Sequence, residues 1–87
     1  MKECRVALCQ NRITNDKEET VRDALTQVRS AASAGAQLVV LPEMFVCPYT
    51  NQSMRANREP LWGPTAEALS DCADRNDIYL IGGSFPE

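Results

Sequence analysis

The sequence predicts an α/β protein with the element order β-α-β-α-β, and three observations carry that expectation. Leu38-Val39-Val40-Leu41 and Ile78-Tyr79-Leu80-Ile81 are short apolar runs without polar alternation, as in parallel strands covered on both faces. Each run follows a segment whose apolar residues recur at helical spacing. Proline and glycine stand at the junctions, where breakers belong. A strand, a crossover helix and a second strand, used twice, predict a three-stranded parallel core with right-handed connections.

Arg5 to Gln10 reads as the first strand, closed by the polar run Asn11-Arg12-Ile13-Thr14-Asn15. Asn15 is expected to cap the first helix, with Glu18 three residues on completing a capping box. From Asp16 to Ala34 the stripe is Val21, Ala24, Leu25, Val28, Ala31 and Ala32, and Glu18 and Arg22 are spaced for an i,i+4 ion pair. Gly35 is placed to end this helix in the left-handed conformation. Gln37 to Leu41 forms the second strand, and Pro42 ends its hydrogen bonding. Pro48 to Pro60 is polar and reads as irregular loop. Trp62 then reads as a packing residue. Gly63-Pro64 opens the second helix, with Pro64 first and Glu67 in the first turn. Its stripe is Ala66, Leu69, Cys72 and Ala73, closed by Arg75-Asn76-Asp77. Ile78 to Ile81 is the third strand. Two helices cannot cover both faces of three apolar strands, so residues 1–87 are expected to be the N-terminal part of a larger, incomplete domain.

Composition removes several functions. Eighty-seven residues allow one domain at most. A net charge of −3 without a basic cluster speaks against nucleic acid and anionic membranes as partners. The absence of histidine removes Ser-His triads and most zinc sites. Cys4, Cys9, Cys47 and Cys72 show no CxxC spacing, so neither a metal site nor a redox motif is expected, and no cofactor is implied. They read as free thiols of a reducing compartment, the cytoplasm by default. The apolar run Val6-Ala7-Leu8-Cys9 is too short for a signal-peptide core, and no stretch is long enough to span a membrane.

Glu43 is the residue with most chemical content. It follows the second strand directly, and the carboxyl ends of strands in α/β sheets form the crevice where ligands bind. Pro42 on one side and Met44-Phe45 on the other suggest partial desolvation, which favours a general base. The plain alternative is a solvated loop glutamate. Cys47, four residues on, is better read as lining that crevice than as a nucleophile, because no histidine accompanies it. Asn51 to Arg58, with two arginines and several amides, has the composition of a surface loop as much as of a carboxylate site. Gly82-Gly83 lacks any phosphate-loop pattern and reads as close backbone approach or positive φ.

The strand ending in Gln10, the helix closing in Ala34-Gly35-Ala36, and Leu38-Val39-Val40-Leu41-Pro42-Glu43-Met44-Phe45 together resemble the start of a carbon–nitrogen hydrolase, a member of the nitrilase superfamily. Pro48-Tyr49, Gly63-Pro64-Thr65 and Ile78 through Ser84-Phe85-Pro86-Glu87 continue the likeness in order, most like the omega-amidase branch. The resemblance implies a four-layer α-β-β-α sandwich, usually dimerised through its helices and so a homo-oligomer, of which this chain supplies part. It also implies a Glu-Lys-Cys triad acting on a small amide or nitrile, with Glu43 as the general base. Phe45, Cys47 and Tyr49 are the implied substrate-pocket candidates. Lys2 and Lys17 stand in the wrong context for the triad lysine, and none of the four cysteines lies in the nucleophile motif. The 87 residues alone are accordingly expected not to hydrolyse amides. The competing expectation is a non-catalytic α/β binding module on the same scaffold.

Overall fold

The structure is a computed structural model that describes residues 3–84, so the Phe85-Pro86-Glu87 ending lies outside the described residues. Its elements are β1 (Val6–Leu8), α1 (Lys17–Ser33), β2 (Leu38–Val40), α2 (Asn51–Ala56), α3 (Pro64–Asn76) and β3 (Tyr79–Ile81). The strands form one parallel sheet in the order β1-β2-β3, with Val6, Leu38 and Tyr79 in register. Each strand is shorter than the apolar run that predicts it. Pairing nevertheless continues past the ends, through Gln37 N–H to Arg5 O, Cys9 N–H to Val40 O and Leu41 N–H to Ile81 O.

The first helix starts one residue later than expected. Asp16 rather than Asn15 is the N-cap, its carboxylate accepting from the amides of Glu18 (3.0 Å) and Glu19 (3.4 Å). A carboxylate at this position also meets the positive end of the helix dipole, which an asparagine amide does less well. Glu18 and Arg22 do not pair; Glu19 instead meets Arg12 from the preceding loop at 3.5 Å. At the far end Gly35 is left-handed, with φ +101°. Ala36 N–H reaches back to Ala31 O and Gly35 N–H to Ala32 O, a Schellman closure. The second long helix ends the same way, with Asp77 (φ 52°) in the glycine position and Ile78 N–H bonded to Ala73 O. Aspartate tolerates that conformation better than most side chains.

The segment expected to be loop contains a short helix. Thr50 caps α2 by accepting from Ser53 N–H at 3.1 Å, and Asn57 Nδ2 closes it on Ser53 O at 2.7 Å. Only Met54 packs towards the core, so no apolar stripe announces it. Trp62 also departs from expectation: it is 83% exposed and lines a shallow groove beside Pro64, Ala66 and Asp71. The turn after Pro60 directs it outward, away from the core.

Both long helices pack on one face of the sheet and against each other. Val28 and Ala24 of α1, Leu69 and Cys72 of α3, and Val39 of β2 are buried together with Leu41, Phe45, Val46 and Cys47. Because side chains alternate along a strand, Val6, Leu8, Tyr79 and Ile81 point the other way. They are exposed, Leu8 by 81% and Tyr79 by 80%, while Leu38 and Val40 between them are half-buried. One apolar face of the sheet is open in these residues, as the shortage of helices predicts.

A half-buried ion pair joins the start of α1 to the segment that opens α3. Lys17 Nζ, in the first turn of α1, contacts Glu59 Oε2 and donates to Asn57 O at 2.7 Å. Glu59 in turn accepts from the Thr65 amide (2.6 Å) and hydroxyl (2.7 Å), capping α3 where Gly63 has no side chain to do so. Burial works against ionisation of Glu59, but the hydrogen bonds from Lys17 and Thr65 outweigh it and hold its pKa below the ordinary 4.5. A depressed folded-state pKa stabilises the fold above 4.5, and that contribution drains away as pH falls through the folded value. Glu59→Gln is expected to cost about 1–3 kcal/mol at neutral pH, since Lys17 loses its partner. It should also remove this share of the acid sensitivity. Urea denaturation of both proteins at neutral pH and at steps below 4.5 measures the two effects; parallel curves would refute the assignment.

Candidate functional site

The parallel strands put their carboxyl ends on one edge, and three segments meet there. Asn11 comes from beyond β1, Glu43 from beyond β2 and Ser84 from beyond β3. Because β2 is central, Glu43 leaves the sheet between the other two segments.

Leu41 still pairs with β3 and is buried, so the departure from the sheet takes place at Pro42-Glu43-Met44. Met44 has φ 51°, a left-handed backbone in a residue other than glycine. This reversal sends Phe45, Val46 and Cys47 back into the core, all at 1% exposure or less. Glu43, just before the reversal, is exposed. The partial desolvation read from its apolar neighbours is therefore not met among the described residues. Phe45 turns inward, Met44 partly so, and the carboxylate is left outside.

The turn is held on three backbone atoms. Met44 N–H donates to Ser84 Oγ at 2.8 Å, and Phe45 N–H to Ser84 O at 3.3 Å. Phe45 O accepts from Asn11 Nδ2 at 2.9 Å. Gly83 makes this closeness possible. It has φ +64°, and a Cβ there would overlap the carbonyl of Pro42. Of the two sequence readings of the glycine pair, both hold at Gly83.

The pocket candidates do not come together on an open surface. Phe45 and Cys47 are core residues, whereas Tyr49 is 71% exposed. Lys17, whose charge reaches Cys47, is committed to Glu59 and Asn57. The two residues the sequence did not single out are Asn11 and Ser84. Their signal is positional, because each lies just past a strand on the same edge as Glu43. Asn11 is 6% exposed, and its Oδ1 has no hydrogen-bond partner among the described residues. Its Nδ2 also lies 3.2 Å from Arg12 O, so two carbonyls fix which end of the amide faces the turn. Among the described residues no three of His, Cys, Asp and Glu gather in a way that could hold a metal ion, and no helix is long and apolar enough to cross a membrane.

Residues 5–87 match the family Carbon-nitrogen hydrolase. Among curated proteins, "Nitrilase homolog 2" of Dictyostelium discoideum is 42% identical over 73 residues, which is 84% of this chain and 22% of that protein. "Omega-amidase NIT2" of Homo sapiens is 41% identical over 83 residues, 95% of this chain and 30% of its own length. The chloroplastic omega-amidase of Arabidopsis thaliana is 38% identical over 87 residues, 94% of this chain and 24% of its own. The chain thus spans less than a third of the length of these relatives.

The cysteines differ in ways that can be measured. All four are free. Burial raises the thiol pKa of Cys9, Cys47 and Cys72, with the Lys17 charge pulling Cys47 part of the way back. Thiolate is the reactive form, so exposed Cys4 should be alkylated first by iodoacetamide at neutral pH, and Cys47 and Cys72 last. In denaturant without reductant all four should label. Peptide mapping by mass spectrometry reads both, and fast native labelling of Cys47 would contradict its burial.

Proposed function

The chain belongs to the carbon–nitrogen hydrolase family, and from that premise we propose that it contributes the general base of an amidase acting on small omega-amides. The base is Glu43. The observation that carries this reading is its position: an exposed carboxylate on the carboxyl edge of the central strand, on a turn fixed at three backbone atoms, within the segment that matches the family. The substrate class follows the names of the relatives from Homo sapiens and Arabidopsis thaliana.

In the proposed mechanism the remaining length of the protein brings a lysine and a nucleophilic cysteine beside Glu43. Glu43 takes the thiol proton as sulfur attacks the amide carbon, and the lysine stabilises the oxyanion. Glu43 hands that proton to the leaving nitrogen, so ammonia departs and a thioacyl-enzyme remains; again a carboxylate, Glu43 then takes a proton from the attacking water and returns it to the cysteine sulfur as the acid is released. Tyr49 would supply an exposed wall of the pocket, with Phe45 and Cys47 packed in the core behind it rather than lining it. The same remaining length would lay a second sheet on the open apolar face, completing a four-layer α-β-β-α sandwich. Helix-to-helix contact between copies would make the protein a homo-oligomer, and the proposed setting is the cytoplasm. The family match and the amidase names favour this over a non-catalytic binding module.

Glu43→Gln keeps the size of the side chain and removes the base. In the complete protein kcat is expected to fall by about 10²–10⁴-fold with the melting temperature nearly unchanged. Steady-state hydrolysis of succinamate, a short omega-amide, measures it. Near-normal turnover by a folded Glu43→Gln protein would sink the assignment. The 87 residues by themselves, with neither the lysine nor the nucleophile, should give no turnover at all.

A further inference from the structure

We infer that Asn11 and Ser84 are positioning residues that aim the Glu43 carboxylate by holding the left-handed turn at Met44, an inference that rests on Glu43 being the general base.

The turn does not hold itself. A non-glycine residue at φ 51° relaxes unless its surroundings fix it, and Met44 has no side-chain hydrogen bond of its own to do so. What fixes it are the contacts across the strand ends. Ser84 Oγ takes the Met44 amide and Ser84 O the Phe45 amide, which ties the turn to the end of β3. Asn11 Nδ2 donates to the Phe45 carbonyl, which ties the turn to the end of β1. Glu43 stands immediately before these anchors. Ser84 Oγ holds the peptide unit that joins Glu43 to Met44, so losing that anchor would let this unit tilt and shift the carboxylate attached to it.

Asn11 gives the second, independent observation. A buried amide oxygen without a partner destabilises a fold. Packing alone would favour an apolar side chain at this position. The amide's shorter bond goes to the turn, so the turn accounts for its presence. Ser84 is read the same way: its hydroxyl oxygen accepts from Met44, and alanine would leave that amide without it.

The test is a set of double-mutant cycles in the complete protein, with succinamate as substrate and all assays well below each variant's unfolding midpoint. Ser84→Ala and Asn11→Ala are expected to lower kcat by about 10–100-fold with KM nearly unchanged, as misplacement of a reacting group by about 1 Å does. Ser84→Thr, which keeps the oxygen, should restore most of the rate. In a Glu43→Gln background the same substitutions should change the residual rate little, because they act only through Glu43. Should Asn11→Ala not fold, the Ser84 pair decides the question alone. Wild-type kcat in Ser84→Ala, or an equal loss with and without Glu43, overturns the inference and leaves the base assignment standing. Full activity of Glu43→Gln itself overturns the base assignment, and the inference with it.

Discussion

A left-handed residue with a side chain is held at a cost of about 1–2 kcal/mol, and Met44 is such a residue at the point where the central strand leaves the sheet. The geometry of the edge follows from it. The chain turns back at Met44, so the apolar residues after it complete the core while the carboxylate before it stays outside. Continued extension beyond Leu41 would have carried Phe45 and Cys47 away from α1 and α3. Filling the core and presenting a carboxylate are therefore one event in this chain.

The reversal depends in turn on elements distant in sequence. Parallel pairing sets β1 and β3 on either side of β2, so the segments that leave them can reach the turn from both flanks. That register needs the helices seated on one face, and Lys17 with Glu59 ties the start of α1 to the start of α3. A single carboxylate serves both as ion-pair partner and as helix cap. The loop from Asn57 to Gly63 thus carries much of the link between the two crossover units.

The regular elements were legible because their signals are periodic or terminal. The stripe from Val21 to Ala32, Pro64 at the start of α3 and Gly35 at the end of α1 each correspond to one physical requirement, and each is met. Where two residues could satisfy a requirement, the sequence did not choose between them. Asn15 and Asp16 both cap helices, and the charged one did. Short α2 was missed because six residues with one inward side chain make no pattern. The site was half legible. Glu43 stands out because it follows a buried strand. Its exposure could not be read, since apolar neighbours in sequence say nothing about which way a left-handed turn sends them. Asn11 and Ser84 lie 34 or more residues from the parts of the turn they hold, beyond any local signal.

The open face of the sheet bears on how substitutions would be tolerated. Leu8, Tyr79 and Ile81 lie largely in solvent, so the packing of these residues gives no reason for them to be apolar. Replacing Leu8 by lysine in the chain alone would remove apolar surface from water at almost no loss of contact. Beneath a covering layer the same change would bury an unpaired charge. One substitution would then raise solubility in one setting and destroy the fold in the other. Under the proposed sandwich, the apolar character of these three positions answers to the sheet that would cover them, written into a chain whose own folding does not call for it.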